Sequence, residues 1–377
     1  MMGVIYQQLI NKITKSALGN GATESIIAEN GKVTLKKYHK YRKRQKNLNK
    51  EFRKSNLHLE SLHHSCVEHM RPVTSPLVLI SQIQRSGGSL LSQLFDGHPE
   101  LHAHPHELKI GYPRKYAWPK IDLNDNPRQW FETLFEPSVL DHFKTGYKKQ
   151  KNLDETFLFL FLPSLQSELF LKYLESIDAV TLRDVFDGYM TSYFGAWLNN
   201  QNSSDPKKYI TAFTARLSME KENMEAFFEI YPDGRLISVI RDPKNWYPSA
   251  ARHRPSVYGD IREALSLWEK SARAMLWNKE RYGDRVCILT FEDLIGKTES
   301  AMRYLAEFLA IKFDDGLLIP TFNKIPIKAN TSFDAQEHGI INGTLNRYKT
   351  LSNEELELIN HMSEDLHRQV LSLAVRL

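Results

Sequence analysis

Residues 76–92, "PLVLISQIQRSGGSLLS", constrain the fold more than any other stretch of the chain. A short, unbroken apolar run bounded by turn residues reads as a strand buried on both faces. Helix-forming residues follow directly after a turn that carries two glycines. Such a strand needs a covering layer on each side, which implies a parallel sheet between helices. The pattern recurs. "RLISVIRDPKNWYPSAAR" at 235–252 reads as strand, turn and helix, and "RVCILTF" at 285–291 reads as a strand before the helical "EDLIGKTESAMRYLAEFLA". "YITAFTARL" at 209–217 is a weaker strand candidate. Ile261, Leu265, Trp268, Ala272 and Met275 step by four and three along one face of a long helix. Ser352 and Glu355 are spaced as a capping box before a C-terminal amphipathic helix. The expected fold is α/β: a P-loop-like parallel sheet flanked by helices on both faces.

Residues 1–70 differ from residues 71–377, which carry this pattern. They are polar, and residues 36–54 hold ten Lys/Arg against one acidic residue, while the whole chain has a formal net charge of only +5. The expectation is a basic, helical or partly disordered extension that contacts an anionic surface peripherally. Tyr38, His39 and Tyr41 within it would suit stacking on bases, so a nucleic-acid-binding protein led by this segment is one alternative. Two cysteines, Cys66 and Cys287, make no disulfide framework and fit a reducing, cytoplasmic setting. The first residues show no secretory pattern. The longest apolar block, "FLFLFLPSL" at 157–165, falls far short of the roughly 20 residues a membrane span needs.

Ligands of open parallel sheets sit at the carboxyl ends of the strands, which directs attention to the loops after Ile83 and Ile240. In the first, glycines before a helix let backbone N–H groups converge on an anion. Arg85 adds a charge and Ser86 and Ser89 add hydroxyls. A nucleotide-triphosphate loop, G-x-x-x-x-G-K-[ST], would need Gly at Gln82 and Lys at Gly88. A kinase or NTPase is therefore an alternative that already lacks its lysine. In the second loop, Arg241 ends a strand and Ser249 follows eight residues later. A guanidinium fork and a hydroxyl two helical turns on suit a phosphate. Two neighbouring anion sites suggest a nucleotide with separated phosphates.

With these loops the chain resembles the sulfotransferases that use 3′-phosphoadenosine 5′-phosphosulfate. "QRSGGSLLSQLFDGHPE" looks like their phosphosulfate loop and "VIRDPKNWYPS" like their 3′-phosphate site. "LTFEDL" at 289–294 and "PTFNKIPIKANTSF" at 320–333, which is similar to their late closing loop, extend the resemblance over roughly residues 76–350. The Arg-Ser-Gly loop is closer to the Golgi-type and bacterial carbohydrate branch than to the cytosolic phenol and steroid branch. The resemblance implies that Arg85, Ser86, Gly87, Gly88, Ser89 and Leu90 hold the 5′-phosphosulfate and that Arg241 and Ser249 hold the 3′-phosphate. Asn330 and Ser332 would touch the nucleotide from the closing loop. Many relatives carry Thr where this chain has Gly88, so a looser loop is expected.

The implied activity is sulfuryl transfer to a hydroxyl of a glycan or other hydroxylated acceptor, with no metal and no nucleic acid. Relatives place a Glu about eight residues beyond a His-Pro. Here His98-Pro99 is followed by His106 at eight and Glu107 at nine. Glu107 is the expected base, His106 its rival, and Arg85 the stabiliser of the leaving phosphate. On a strand, His102, His104 and His106 would share one face, which fits a histidine-lined cleft or plain loop better than zinc. Tyr112, Tyr116 and Trp118 would either line a sugar site or pack in the core, and Arg216 would reach cofactor or acceptor. A degenerate member that only binds nucleotide is disfavoured by Arg85, Arg241 and Ser249.

Overall fold

The computed structural model describes residues 31–110, 116–147, 156–201, 205–327, 340 and 342–377. Five strands form one parallel sheet: β1 (Leu77–Ile80), β2 (Leu101–Glu107), β3 (Tyr209–Phe213), β4 (Arg235–Ile240) and β5 (Val286–Thr290). Their order is β2-β3-β1-β4-β5. β1 pairs with both β3 and β4, with Leu79 opposite Ala212 and Leu236. All four β1 residues are fully buried, as the unbroken apolar run requires. The chain fills the β3–β2 side before crossing to β4 and β5, so the strand order reverses at β1. Ligand crevices open at such a point.

The strand ends are shorter than the sequence suggests. β1 stops at Ile80 because Ser81–Gln84 turn away to build the loop: Ser81 N–H still reaches the Ile237 carbonyl at 3.0 Å, but Ile83 N–H donates to Ser271 Oγ at 3.1 Å. β2 is the strand the sequence concealed. It is rich in histidine and contains Pro105. Proline lacks the N–H that a central strand needs, but an edge strand tolerates it, and β2 is at the edge. Its register to β3 shifts between Ala103 and Glu107.

Helix α1 (Gly31–Glu68) belongs to the first of two units, residues 1–68 and 69–377. From His39 to Lys50 its side chains are all exposed, in keeping with their charge. In the second unit, α2 (Gly88–Leu94) packs Leu91 and Leu94 into a core with Val78, Ile80, Ile237 and Leu289. α3 (Leu182–Ala196) starts at a Thr181 capping box and is buried along most of its length. α4 (Pro243–His253) starts with Asp242 capping Lys244 N–H. α5 (Ile261–Tyr282) buries Leu265, Trp268, Ala272 and Met275. α6 (Asn353–Leu373) opens with the Ser352–Glu355 capping box. Among the described residues no helix is long and apolar enough to cross a membrane.

Candidate functional site

The β1–α2 loop turns on two left-handed residues, Arg85 (φ 68°) and Gly87 (φ 100°). For a non-glycine residue this conformation costs on the order of 1–2 kcal/mol, and here it turns the loop backbone around a concavity. Gly87 also has no room for a side chain: a Cβ would sit 2.6 Å from the Phe291 ring. Gly88 is tighter still. A Cβ there would lie 2.1 Å from Gln82 Nε2 and 2.4 Å from the Phe213 ring. The loop is therefore packed where the sequence suggested it would be loose. Gln82 and Phe213 occupy the space a larger residue at 88 would take.

Arg85, Gly87, Gly88, Ser89 and Leu90 line a cavity of about 260 Å³ together with Arg241, Ser249 and Glu107. Two loops and an edge strand thus meet, as the strand order requires. Arg85 Nε donates to Ser249 Oγ at 3.4 Å. Arg241 Nη1 donates to the Arg85 carbonyl at 3.0 Å and Nη2 to the Thr344 carbonyl at 2.8 Å. Its guanidinium lies over the Phe291 ring, 4.2 Å from the centroid. Ser86 is buried beneath the loop rather than in the lining.

Arg85 thus meets a hydroxyl and Arg241 two backbone carbonyls, with the Glu292 carboxylate close to Arg241. Burial pushes Arg85 down to about 10. Burial, reinforced by Arg347 and only partly opposed by Glu292, brings Arg241 down to about 9. Arg347, lowered by burial and by Arg85, is at about 10. Buried cations held this close favour an anion beside them. Arg241 Nε and Ser86 Oγ are buried without a hydrogen-bond partner among the described residues. A phosphate at Arg241 would satisfy its free N–H, so the cavity fits a polyanionic nucleotide.

Glu107 ends β2 and faces this cavity, whereas His106 does not. His106 is buried beside α3 among Tyr193, His104 and Glu136, and burial pushes its imidazole down to about 3. Its ring has no access to the cavity because adjacent strand residues point to opposite faces. His102, His104 and His106 do share one face, against Phe194 and Tyr193 of α3. Arg216, at φ 66°, donates through Nε to Gln84 Oε1, which also accepts from Tyr258 OH. Gln84 lines the cavity, and its Nε2 donates to Tyr116 OH at 3.2 Å. Trp118 is a core residue rather than a sugar platform: it is buried and stacked on Phe186 at 5.0 Å. Tyr112, Asn330 and Ser332 lie outside the described residues.

Sequence reasoning missed Thr344 and Arg347, which line the cavity from the turn at Asn342–Thr350. Their only local signal was an arginine in a Gly-Thr-containing segment just past the expected closing loop. His253, at the end of α4, and Phe291, after β5, were missed as well.

The chain is similar to protein-tyrosine sulfotransferase A of Caenorhabditis elegans, 27% identical over 95 residues. That match covers 24% of this chain and spans a quarter of the relative's length. Among solved structures it is similar to the sulfotransferase domain from the curacin biosynthetic pathway, at 17% identity and a TM-score of 0.46, covering 77% of this chain and 98% of that one. It is also similar to the sulfotransferase domain of the Synechococcus PCC 7002 olefin synthase, at 19% identity and a TM-score of 0.44, covering 82% and 97%. The model of the sulfotransferase family matches residues 76–315, from the start of β1 past β5 and through the loops that follow β1 and β4, and the chain belongs to that family.

Proposed function

We propose that the protein transfers a sulfuryl group from 3′-phosphoadenosine 5′-phosphosulfate to a hydroxyl of a glycan or other hydroxylated acceptor. The observation that carries this reading is the convergence of Arg85, Arg241 and Ser249 on one cavity that Glu107 also lines. The donor, when bound, supplies an activated sulfuryl. The chain's own residues do the rest. Arg85, with the N–H groups of Gly87–Leu90, holds the 5′-phosphosulfate and stabilises the charge that gathers on the phosphate as it leaves. Arg241 and Ser249 hold the 3′-phosphate. Glu107 takes the acceptor's proton as the acceptor oxygen bonds to sulfur, and the electrons of the broken S–O bond stay on the phosphate. Arg216 supports the loop through its hydrogen bond to Gln84, which lines the cavity. This scheme uses no metal.

Free Cys66 and Cys287 support a reducing, cytoplasmic setting, and the exposed basic face of α1 supports peripheral contact with an anionic surface. Gly88 stands where a kinase or NTPase needs its lysine, which weighs against that alternative. The test is turnover: the full chain, supplied with the donor and a panel of glycans, phenols and tyrosine peptides, should release adenosine 3′,5′-bisphosphate with at least one acceptor. No release across the panel, alongside Mg²⁺-dependent ATP hydrolysis, would replace this reading with the kinase-type one.

A further inference from the structure

The mechanism leaves one buried polar cluster unused. His104, His106 and Glu136 gather on the α3 side of β2, and one ligand atom from each lies within 4.8 Å of the others. All three are buried, Glu136 completely. We propose that these residues bind a divalent transition metal of the zinc class, which locks the end of β2 that carries Glu107.

The hydrogen-bond accounting leads there. His104 Nδ1 lies 2.8 Å from the His106 carbonyl, which can only accept, so Nδ1 carries the proton. In a neutral ring Nε2 is then a bare lone pair, and it faces Glu136 Oε1 at 3.3 Å. Two acceptors at that distance need a cation between them. A proton on His104 would serve this one contact, but it would leave His106 unserved. His106 Nε2 is 3.7 Å from Glu136 Oε2, too far for a hydrogen bond, and has no partner among the described residues. One ion serves both rings. Tetrahedral zinc with bonds of about 2.0–2.1 Å places its ligand atoms about 3.3 Å apart. His104 Nε2 is 3.3 Å from Glu136 Oε1 and His106 Nε2 is 3.7 Å from Oε2, and one ligand atom from each residue lies within 4.8 Å of the others, so a small inward shift of the side chains closes the shell.

The outer contacts have the form such sites need. Imidazole ligands are held by the other ring nitrogen and carboxylate ligands by further donors. His104 Nδ1 is held by the His106 carbonyl and His106 Nδ1 faces Tyr193 OH at 3.5 Å. Glu136 accepts from Lys109 N–H at 2.8 Å and from Tyr189 OH at 3.1 Å. His142 packs edge-on against His106 at 4.7 Å and closes that side of the cluster. Two nitrogens and one carboxylate select zinc-class ions over magnesium or calcium, which prefer all-oxygen shells. The ligands bracket Glu107 in sequence, and Lys109 N–H, two residues beyond it, bonds the same carboxylate, so the ion would fix the strand end from which Glu107 enters the cavity.

Zinc titration of the metal-stripped full chain against a chromophoric chelator tests this. We expect one tightly held zinc per chain, a melting temperature that rises with zinc and falls with chelator, and tetrahedral cobalt absorption after substitution. Tyr193→Phe, which removes only an outer contact, should weaken zinc about tenfold. His106→Ala should abolish binding. Zinc retained by folded H106A would place the ion elsewhere, with the histidines of α1 as hosts, and would overturn the assignment. Should H106A fail to fold, the wild-type chain decides: no bound zinc and a melting temperature indifferent to zinc and chelator would mean that a proton alone holds His104 against Glu136.

Discussion

Glu107 and His106 are neighbours on β2, yet one lines the arginine-walled cavity and the other is buried against α3. The two regions are wired in opposite ways. In the cavity, burial lowers the proton affinity of Arg85, Arg241 and Arg347; Arg347 and Arg85 lower Arg241 further, and Arg85 lowers Arg347. Arg85 and Arg241 bond a hydroxyl and backbone carbonyls, and all three border open volume. In the cluster, burial raises Glu136, but His104 and His106 more than offset this and hold its carboxyl well below the usual carboxylate range. There the partners of the carboxylate are built into the chain. The difference separates a region that must take its counter-charge from a diffusing ligand from one that is complete within the fold, or completed by a small ion.

The largest expected effect breaks this comparison at its hinge. Glu107→Gln should lower turnover by about 10²–10⁴ with bisphosphate affinity retained, as for a lost general base. His106→Gln should instead lower the melting temperature and leave the pH profile of turnover where it was. A pH profile shifted by the His106 variant would place the base on the other side of the strand.

Next is Glu292, beside the cavity's guanidiniums. Burial raises its carboxyl to about 7, despite hydrogen bonds from backbone N–H groups and the charge of Arg241. Below the ordinary carboxylate value the native and unfolded chains are both protonated there and nothing is lost. As pH rises toward 7 the unfolded chain sheds its proton first, so the native state loses up to about 3 kcal/mol relative to low pH, and the loss levels off above 7. Glu292→Gln should therefore be stabilising at pH 8 and close to neutral at pH 4.5, by denaturant melts. A constant difference across that range would mean that Glu292 stays charged.

Arg85→Ala and Arg241→Ala should each weaken bisphosphate binding by about 10- to 100-fold, the worth of a charge-assisted hydrogen bond. Unchanged affinity in both variants would move the nucleotide out of this cavity. The smallest effect sharpens the account of the loop. Gly88→Ala should cost about 1–3 kcal/mol through overpacking, and Gln82→Ala in the same chain should recover part of it. A neutral Gly88→Ala would mean that Gln82 and Phe213 yield easily.

Much of the cavity was legible because its parts are local. Arg85 and Gly87 sit in one turn, and Arg241 and Ser249 share one strand–helix junction, so spacing alone brought each set together. What stayed hidden was non-local or masked by composition. β2 carries histidines and Pro105, which argue against a strand unless its place at the sheet edge is known. Gly88 made sense only once Phe213, more than a hundred residues later, was seen against it. Arg347 enters from still farther along the chain. Trp118 had the composition of a sugar platform, but Phe186 and Phe227 cover it. Glu136 lies in the short link between two helices, Pro127–Leu134 and Ser138–Thr145, where nothing in the sequence hints at a buried carboxylate.

The central claim is that the cavity holds two separated anionic groups rather than a triphosphate. Calorimetry of the full chain against adenosine 3′,5′-bisphosphate and against ATP with Mg²⁺ tests it most directly. The account predicts clear heat and saturation with the bisphosphate, and little or none with ATP. Tight ATP·Mg²⁺ binding with none of the bisphosphate would contradict it.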